Sequence, residues 1–238
     1  MSNIWTITWR ELKAYFVSPL AYIISAAFLA LAGVFFTFEI IYGREAAMRN
    51  TFTTMIFILL ILAPALTMRL LAEEQRMGTL ELLLTSPLHD WQVVVGKFLG
   101  SFILFLTMLV LPMLYYVLLL TVFGPPDYGP IATGFLALIL MGASFLALGV
   151  FASSLTQNQV VAFFVGEVIG IILWVADAFS SVFTSGPIGE IFRYLSISRH
   201  YQDAIRGVVD TSDVVYALSI VAIALFLATQ VLQTRRWR

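Results

Sequence analysis

The chain contains no cysteine and only two histidines, His89 and His200. Without cysteine it can hold neither a disulfide framework nor a thiolate metal site. Charge is scarce as well: 11% of the 238 residues are Asp, Glu, Lys or Arg, and the net charge is −1. That balance selects no partner by itself, and no long basic run suggests nucleic acid. No long-period repeat and no separate soluble domain can be read along the chain. Hydrophobic residues make up 61% of it and the mean hydropathy is +0.96, too apolar for an ordinary soluble domain.

Familiar catalytic patterns are missing too. Both histidines fall in connections between apolar runs, which excludes an intramembrane Ser–His dyad. His200 reads as an interfacial histidine, not a ligand. Gly142-Ala143-Ser144 lacks the glycine that a nucleophile elbow carries two residues beyond its serine. H-E-x-x-H does not occur, and Gly96-Lys97 is followed by Phe98 with no glycine five residues earlier, so there is no phosphate-binding loop. If nucleotide energy drives this protein, another chain must bind the nucleotide.

What is present is a series of apolar runs, each reaching or exceeding the roughly 18–20 residues that cross a bilayer. They read as about six spans: Leu20–Tyr42, Phe52–Leu71, Phe98–Phe123, Ile131–Ser153, Val160–Phe179 and Val214–Leu232. All are expected to be helices, since lipid offers no partner to an open strand edge, so the fold class is an all-α membrane protein forming one domain over 1–238. The run from Leu20 to Ile41 is too long for a cleaved signal peptide despite its Ala30-Leu31-Ala32. With the N-terminus inside, the inner side holds eight Lys and Arg and the outer side five. That excess places both termini in the cytoplasm.

Pro64 and Pro112 fall inside the second and third spans, where each should kink its helix. Gly124–Pro130 reads as a tight outer turn. Gly96/Gly100 and Gly166/Gly170 have the G-x-x-x-G spacing that lets helices approach closely, within one chain or between two. Before the first span, residues 1–17 place Trp5, Trp9, Leu12 and Phe16 on one stripe, with Arg10 and Lys13 on another face. That pattern predicts an amphipathic helix in the interface plane. Residues 180–213 are too polar to span. Ile188, Ile191, Phe192 and Leu195 form one stripe and Tyr201, Ile205 and Val208 a second, predicting two short helices on the outer face.

Two polar features invite function. Glu167 lies near the middle of the fifth span, where a carboxylate costs on the order of 2.5–3.5 kcal/mol on insertion scales and so should face protein or water. It is either a polar point on a transport pathway or a structural acid bonded to a neighbouring helix. Glu39 and Asp177, close to the outer interface, read as solvated helix ends. The other feature is the polar interruption from Arg69 to Lys97. It contains a short helix-like element, Thr79–Thr85, opened by Gly78 and closed by Ser86-Pro87. A structured element of that kind, within 73–91, suits docking to a soluble partner.

The stretch Glu73-Glu74-Gln75-Arg76-Met77-Gly78-Thr79-Leu80-Glu81-Leu82-Leu83-Leu84-Thr85-Ser86-Pro87, followed by Trp91 and Gly96-Lys97-Phe98-Leu99, resembles the signature of ABC-2-type transporter permeases. A second resemblance runs from Leu195-Ser196 through His200, Gly207, Asp210 and Asp213 to Tyr216, with Ile197 where family members usually carry proline. The chain is similar throughout to the compact six-helix permeases grouped with gliding-motility ABC transporters.

The resemblance implies a coupling helix that docks on a cytoplasmic ATPase subunit, an N-terminal connecting helix and an outer gate-like cap containing Leu195, His200, Tyr201 and Gly207. Glu73, Glu74, Arg76 and Glu81 would dock the element, and Leu80, Leu83 and Leu84 would fill an apolar groove. It further implies two permease chains, two ATPase subunits that hold ATP and magnesium, no cofactor in this chain, and export across the cell membrane. A proton- or ion-coupled transporter using Glu167 and a force-transmitting scaffold remain open beside this reading, although the lack of an internal repeat disfavours the former.

Overall fold

The computed structural model describes residues 2–43, 47–79, 88–182 and 187–236. Among them the chain is helical throughout and contains six helices long and apolar enough to cross a membrane. A preceding helix, α1 (Ser2–Val17), leads through Ser18 into α2 (Pro19–Gly43). The second span is α3 (Arg49–Thr67), continued after a break at Met68 by α4 (Arg69–Met77). Then follow α5 (Asp90–Phe123), α6 (Tyr128–Leu155), α7 (Gln159–Val182), three short pieces α8 (Pro187–Leu195), α9 (Ile197–His200) and α10 (Gln202–Ile205), and finally α11 (Thr211–Arg236).

The expected spans all appear, and their ends shift outward. α5 begins eight residues before Phe98 and the α3–α4 rod continues past Leu71 to Met77. Much of the polar interruption is therefore helix belonging to its two flanks. The remainder of the expected coupling element, 80–87, lies outside the described residues. The turn after α5 is shorter than expected, because Tyr128–Pro130 already form the first turn of α6, where a missing proline N–H is harmless. Asp127 starts that helix by accepting from Gly129 N at 3.1 Å.

Two helices make the centre. In their most apolar windows 67% of α3–α4 and of α6 is buried, against 39% for α5, 28% for α2 and α11 and 22% for α7. Lipid tails are as apolar as leucine, so close packing has to hold these helices together. Gly134 and Gly142 leave gaps on α6 into which the rings of Phe52 and Phe105 fit; a Cβ would lie 2.4 Å and 2.3 Å from them. Pro64 cannot donate to the carbonyl one turn back, and the rod breaks at Met68. Ser153 of α6 fills that break, accepting from the N–H groups of Leu71 and Ala72 at 3.0 Å and donating to Met68 O at 2.8 Å.

Both G-x-x-x-G pairs are used within the chain. On α5, a Cβ at Gly96 would sit 2.8 Å from Ile7 and one at Gly100 2.7 Å from Glu11, so this pair is the seat of α1. On α7, Gly166 and Gly170 face Pro64 and Leu60 of α3. α1 turns Ile7, Thr8, Leu12 and Tyr15 inward against the other helices, while Trp5, Trp9 and Phe16 of the expected stripe stay exposed. Glu39 does more than end a helix. It reaches from α2 to the start of α3, accepting from Asn50 N at 2.9 Å, Thr51 N at 2.7 Å and the Thr51 hydroxyl, a carboxylate cap placed at the positive helix terminus.

Because α1 rests directly on Gly96, the substitution Gly96→Leu is expected to lift it from α5 and to cost about 1–3 kcal/mol, the range of overpacking. Thermal unfolding, together with protease sensitivity of the 1–17 segment, checks this. An unchanged melting temperature and an equally protected α1 would contradict the seating.

Candidate functional site

At the end of the molecule that carries α1 and α4, here the near end, four charges interlock. The Lys97 side chain is 1% exposed. Its Nζ lies 2.9 Å from Glu11 Oε1 and 2.8 Å from Glu74 Oε1. Arg10 Nη2 approaches the same two oxygens at 2.9 Å each. Two cations and two anions thus close a ring that joins α1, α4 and α5. Removing a carboxylate from beside the buried Lys97 costs about 3–5 kcal/mol, because an uncompensated charge remains, whereas Arg10, half exposed, contributes less.

The surroundings orient the ring. Thr8 donates to Gly96 O at 3.1 Å, and Tyr15, fully packed, donates to Leu66 O at 2.8 Å just before the α3–α4 break. The Arg69 guanidinium lies 5.6 Å from the Tyr15 ring centre. Burial alone would raise the Glu11 carboxyl. The Lys97 charge and the hydrogen bonds from Arg10 and Lys97 outweigh it and hold the group below the usual carboxylate range. One oxygen of the ring is unmet, Glu74 Oε2, which is buried without a hydrogen bond among the described residues. A cavity of about 440 Å³ opens beside it, bordered by Arg69, Glu73 and Thr79.

Of the expected docking residues, Glu73, Glu74 and Arg76 lie on α4. Gly78 ends that helix in the left-handed region at φ 69°, where glycine carries no steric penalty, and Thr79 donates to Glu74 O at 3.4 Å. Leu80, Glu81, Leu83, Leu84, Thr85, Ser86 and Pro87 are outside the described residues. Gln75, between the two expected charges, is buried and donates to Ser154 O at 3.0 Å, so α4 is fastened to the end of α6. Arg10, Glu11 and Lys97 carry the ring without having been expected to. Their only local signal is a glutamate on the inward face of α1 and a lysine at the head of a long apolar run.

The opposite, far end brings its expected residues together. His200 is buried: its Nε2 donates to Tyr194 O at 2.9 Å and its Nδ1 hydrogen-bonds with Asp213 Oδ1 at 2.7 Å. Its ring stacks on Tyr216 at 3.8 Å, and Tyr216 donates to Leu195 O at 2.6 Å. Tyr201 stacks on Trp174 of α7, and burial pushes its phenol up to about 12. Gly207, at φ 98°, turns the chain against Pro130. The second expected helix of this segment is two single turns divided at Tyr201, with Val208 exposed beyond them.

Glu167 stays apart from both clusters. It lies midway along α7, partly buried, with Oε2 lacking a hydrogen bond among the described residues. No group of three or more potential metal ligands occurs among the described residues.

Glu11 generates a pH prediction. A depressed carboxyl stabilises the fold fully above its ordinary value near 4.5, and that contribution disappears as the pH falls through the lowered value. The melting temperature of the wild-type chain should therefore hold from pH 7 to the ordinary carboxylate range and drop below it. Glu11→Gln should melt lower at pH 7 and lose less on acidification. Equal acid sensitivity in both would remove Glu11 from this role.

A family model described as ABC-2 family transporter protein matches residues 5–235. No curated protein matches the sequence.

Proposed function

The chain belongs to the ABC-2 transporter family, and from that membership we propose that it is the membrane subunit of an ATP-driven exporter. It works as a pair of identical chains related by a two-fold axis, with both termini and the near end in the cytoplasm of a cell-membrane protein. Two ATP-binding subunits, which hold ATP and magnesium, dock against the 73–91 segments. Hydrolysis takes place in those subunits and not in this chain, whose sequence has no phosphate-binding loop.

The observation that supports this reading best is the ion-paired ring of Arg10, Glu11, Glu74 and Lys97. It adjoins the chain entering and leaving 80–87 and ties α1, α4 and α5 into one body. Closure of the ATP-binding subunits pushes 80–87, and that body takes up the push as a unit. Ser153 and Gln75 carry the displacement to α6, which reaches the far-end cap where Thr133 donates to Ala204 O at 2.6 Å. Loose side chains at the near end would dissipate the same push locally.

The coupling role is tested with Glu81→Arg and Leu84→Arg. Each places a new charge on the docking surface, so assembly with the ATP-binding subunits should fail or ATP hydrolysis should proceed without transport. Co-purification and paired measurements of phosphate release and transport read the result. Normal assembly and transport in both variants would remove Thr79–Pro87 from the interface.

Glu167 favours a second element of the reading, a polar point on the translocation path, because its buried oxygen has no partner among the described residues. A cysteine at position 167 should react with a small water-soluble thiol reagent in at least one nucleotide state, the sequence having no other cysteine. Protection in every state would place Glu167 off the path.

A further inference from the structure

At the far end one imidazole is held between two groups that can only accept. His200 Nε2 lies 2.9 Å from Tyr194 O, and Nδ1 lies 2.7 Å from Asp213 Oδ1. A neutral imidazole has one N–H and one bare nitrogen. It can satisfy either contact, but the other would then set two lone pairs against each other inside a buried site. The arrangement therefore needs two protons, one directed at the carbonyl and one between Nδ1 and the carboxylate. An imidazole is the stronger base of that pair, so the second proton belongs on the ring.

Those two hydrogen bonds cross element boundaries. Tyr194 lies at the end of α8, His200 at the end of α9 and Asp213 in the first turn of α11. Tyr216, further along α11, adds its ring at 3.8 Å and its hydrogen bond to Leu195 O. The far-end segment is thus fastened to α11 through one side chain that carries a removable proton. His200 is 8% exposed and the Asp213 side chain 15%, so the pair is sheltered but still exchanges protons with water on the far side.

The other ionisable groups do not replace that proton. Tyr194 meets the ring edge-on and Tyr216 face-on. Asp210 is held below the usual carboxylate range by hydrogen bonds from Ser212 first, with the His200 charge among the lesser causes. Glu190, Arg193 and Arg199 are exposed, and Asp203 and Arg206 approach each other at 3.9 Å in the open. α7, which packs against α9, brings Asp177 to this end.

We infer that His200 and Asp213 form a proton-operated latch on the far-end segment. With both ring protons present, α8 and α9 are tied to α11. Loss of one proton leaves a bare nitrogen facing an acceptor, and one of the two ties opens. The fastened state binds one proton more than the released one, so fastening is complete on the acid side and is lost as the pH rises. The latch needs neither ATP nor a partner subunit, so it stands or falls separately from the proposed transport function.

The test uses the full chain in lipid nanodiscs with nitrogen-15 in the histidine rings. His89→Gln leaves His200 as the only histidine, and its two ring signals report which nitrogens carry a proton. A cysteine introduced by Ser196→Cys, at a position with 0% exposure, reports opening through its reaction with a water-soluble maleimide. Val208→Cys, at an exposed position, corrects for the effect of pH on the thiol itself. From about pH 5 to 10, a span that brackets histidine titration, Ser196→Cys should stay protected while both ring nitrogens are protonated. Its corrected rate should rise about tenfold when the second proton leaves, the effect of losing one buried hydrogen bond. Asp213→Asn can donate its amide N–H to the bare Nδ1, so it should keep Ser196→Cys protected with a single ring proton. Protection of the Asp213 form with one ring proton, both protons retained up to about pH 10, or Asp213→Asn opening in the same range would each overturn the latch.

Discussion

Lys97 brings a full positive charge into the protein at the head of its longest helix, and two carboxylates and a guanidinium surround it. An ammonium group with 1% of its side chain exposed survives only if its partners are held in place. Most of the near end serves that requirement. Gly96 and Gly100 let α1 approach α5 closely enough for Glu11 to reach Nζ, and Gly78 turns the chain away just beyond Glu74. Tyr15 and Thr8 lock the helix that carries Arg10 and Glu11. The strength of the ring depends on all three helices being present, which makes it a joint between them more than a bond within any one.

From that joint the internal connections run along α6. This helix touches α4 through Ser153 and Ser154, α11 through the Ser144 hydroxyl and Ala217 O at 3.3 Å, and the far-end segment through Thr133. Its serines and threonine place hydrogen bonds across helix boundaries, where apolar contacts alone give little preference over lipid. The break at Met68 matters here, because it exposes backbone donors for Ser153 to accept from. Pro64, four residues earlier, and Gly149, packed against Thr67, keep that break close to α6.

The far end is held by a different chemistry. His200, Tyr194 and Tyr216 pack ring against ring, and both ring nitrogens of His200 and the Tyr216 hydroxyl pair with groups of neighbouring elements. No buried ammonium is involved, and the segment is built from one short helix and two single turns. Short pieces pinned by side chains reposition at lower cost than a continuous helix. That contrast is what the proposed drive from the near end and opening at the far end would require.

Much of the architecture was legible in the sequence. Six apolar runs of bilayer length required six helices, since an unpaired backbone cannot sit in lipid; Gly78 could be read as a turning point, but as the entry to the next element and not as the end of α4. The amphipathic character of α1 could be read, but its inward face could not, because the choice among its faces depends on where Gly96 and Gly100 lie. Glu39 could be read as polar and near an end, without any sign that it caps the next helix. Lys97 and Glu11 are 86 residues apart, and no local period encodes their pairing. Periodicity reports whether a segment can bury one face; which side chains meet across that face is decided only when α1, α4 and α5 pack, since charge pairing acts over a few ångströms in space and not along the chain.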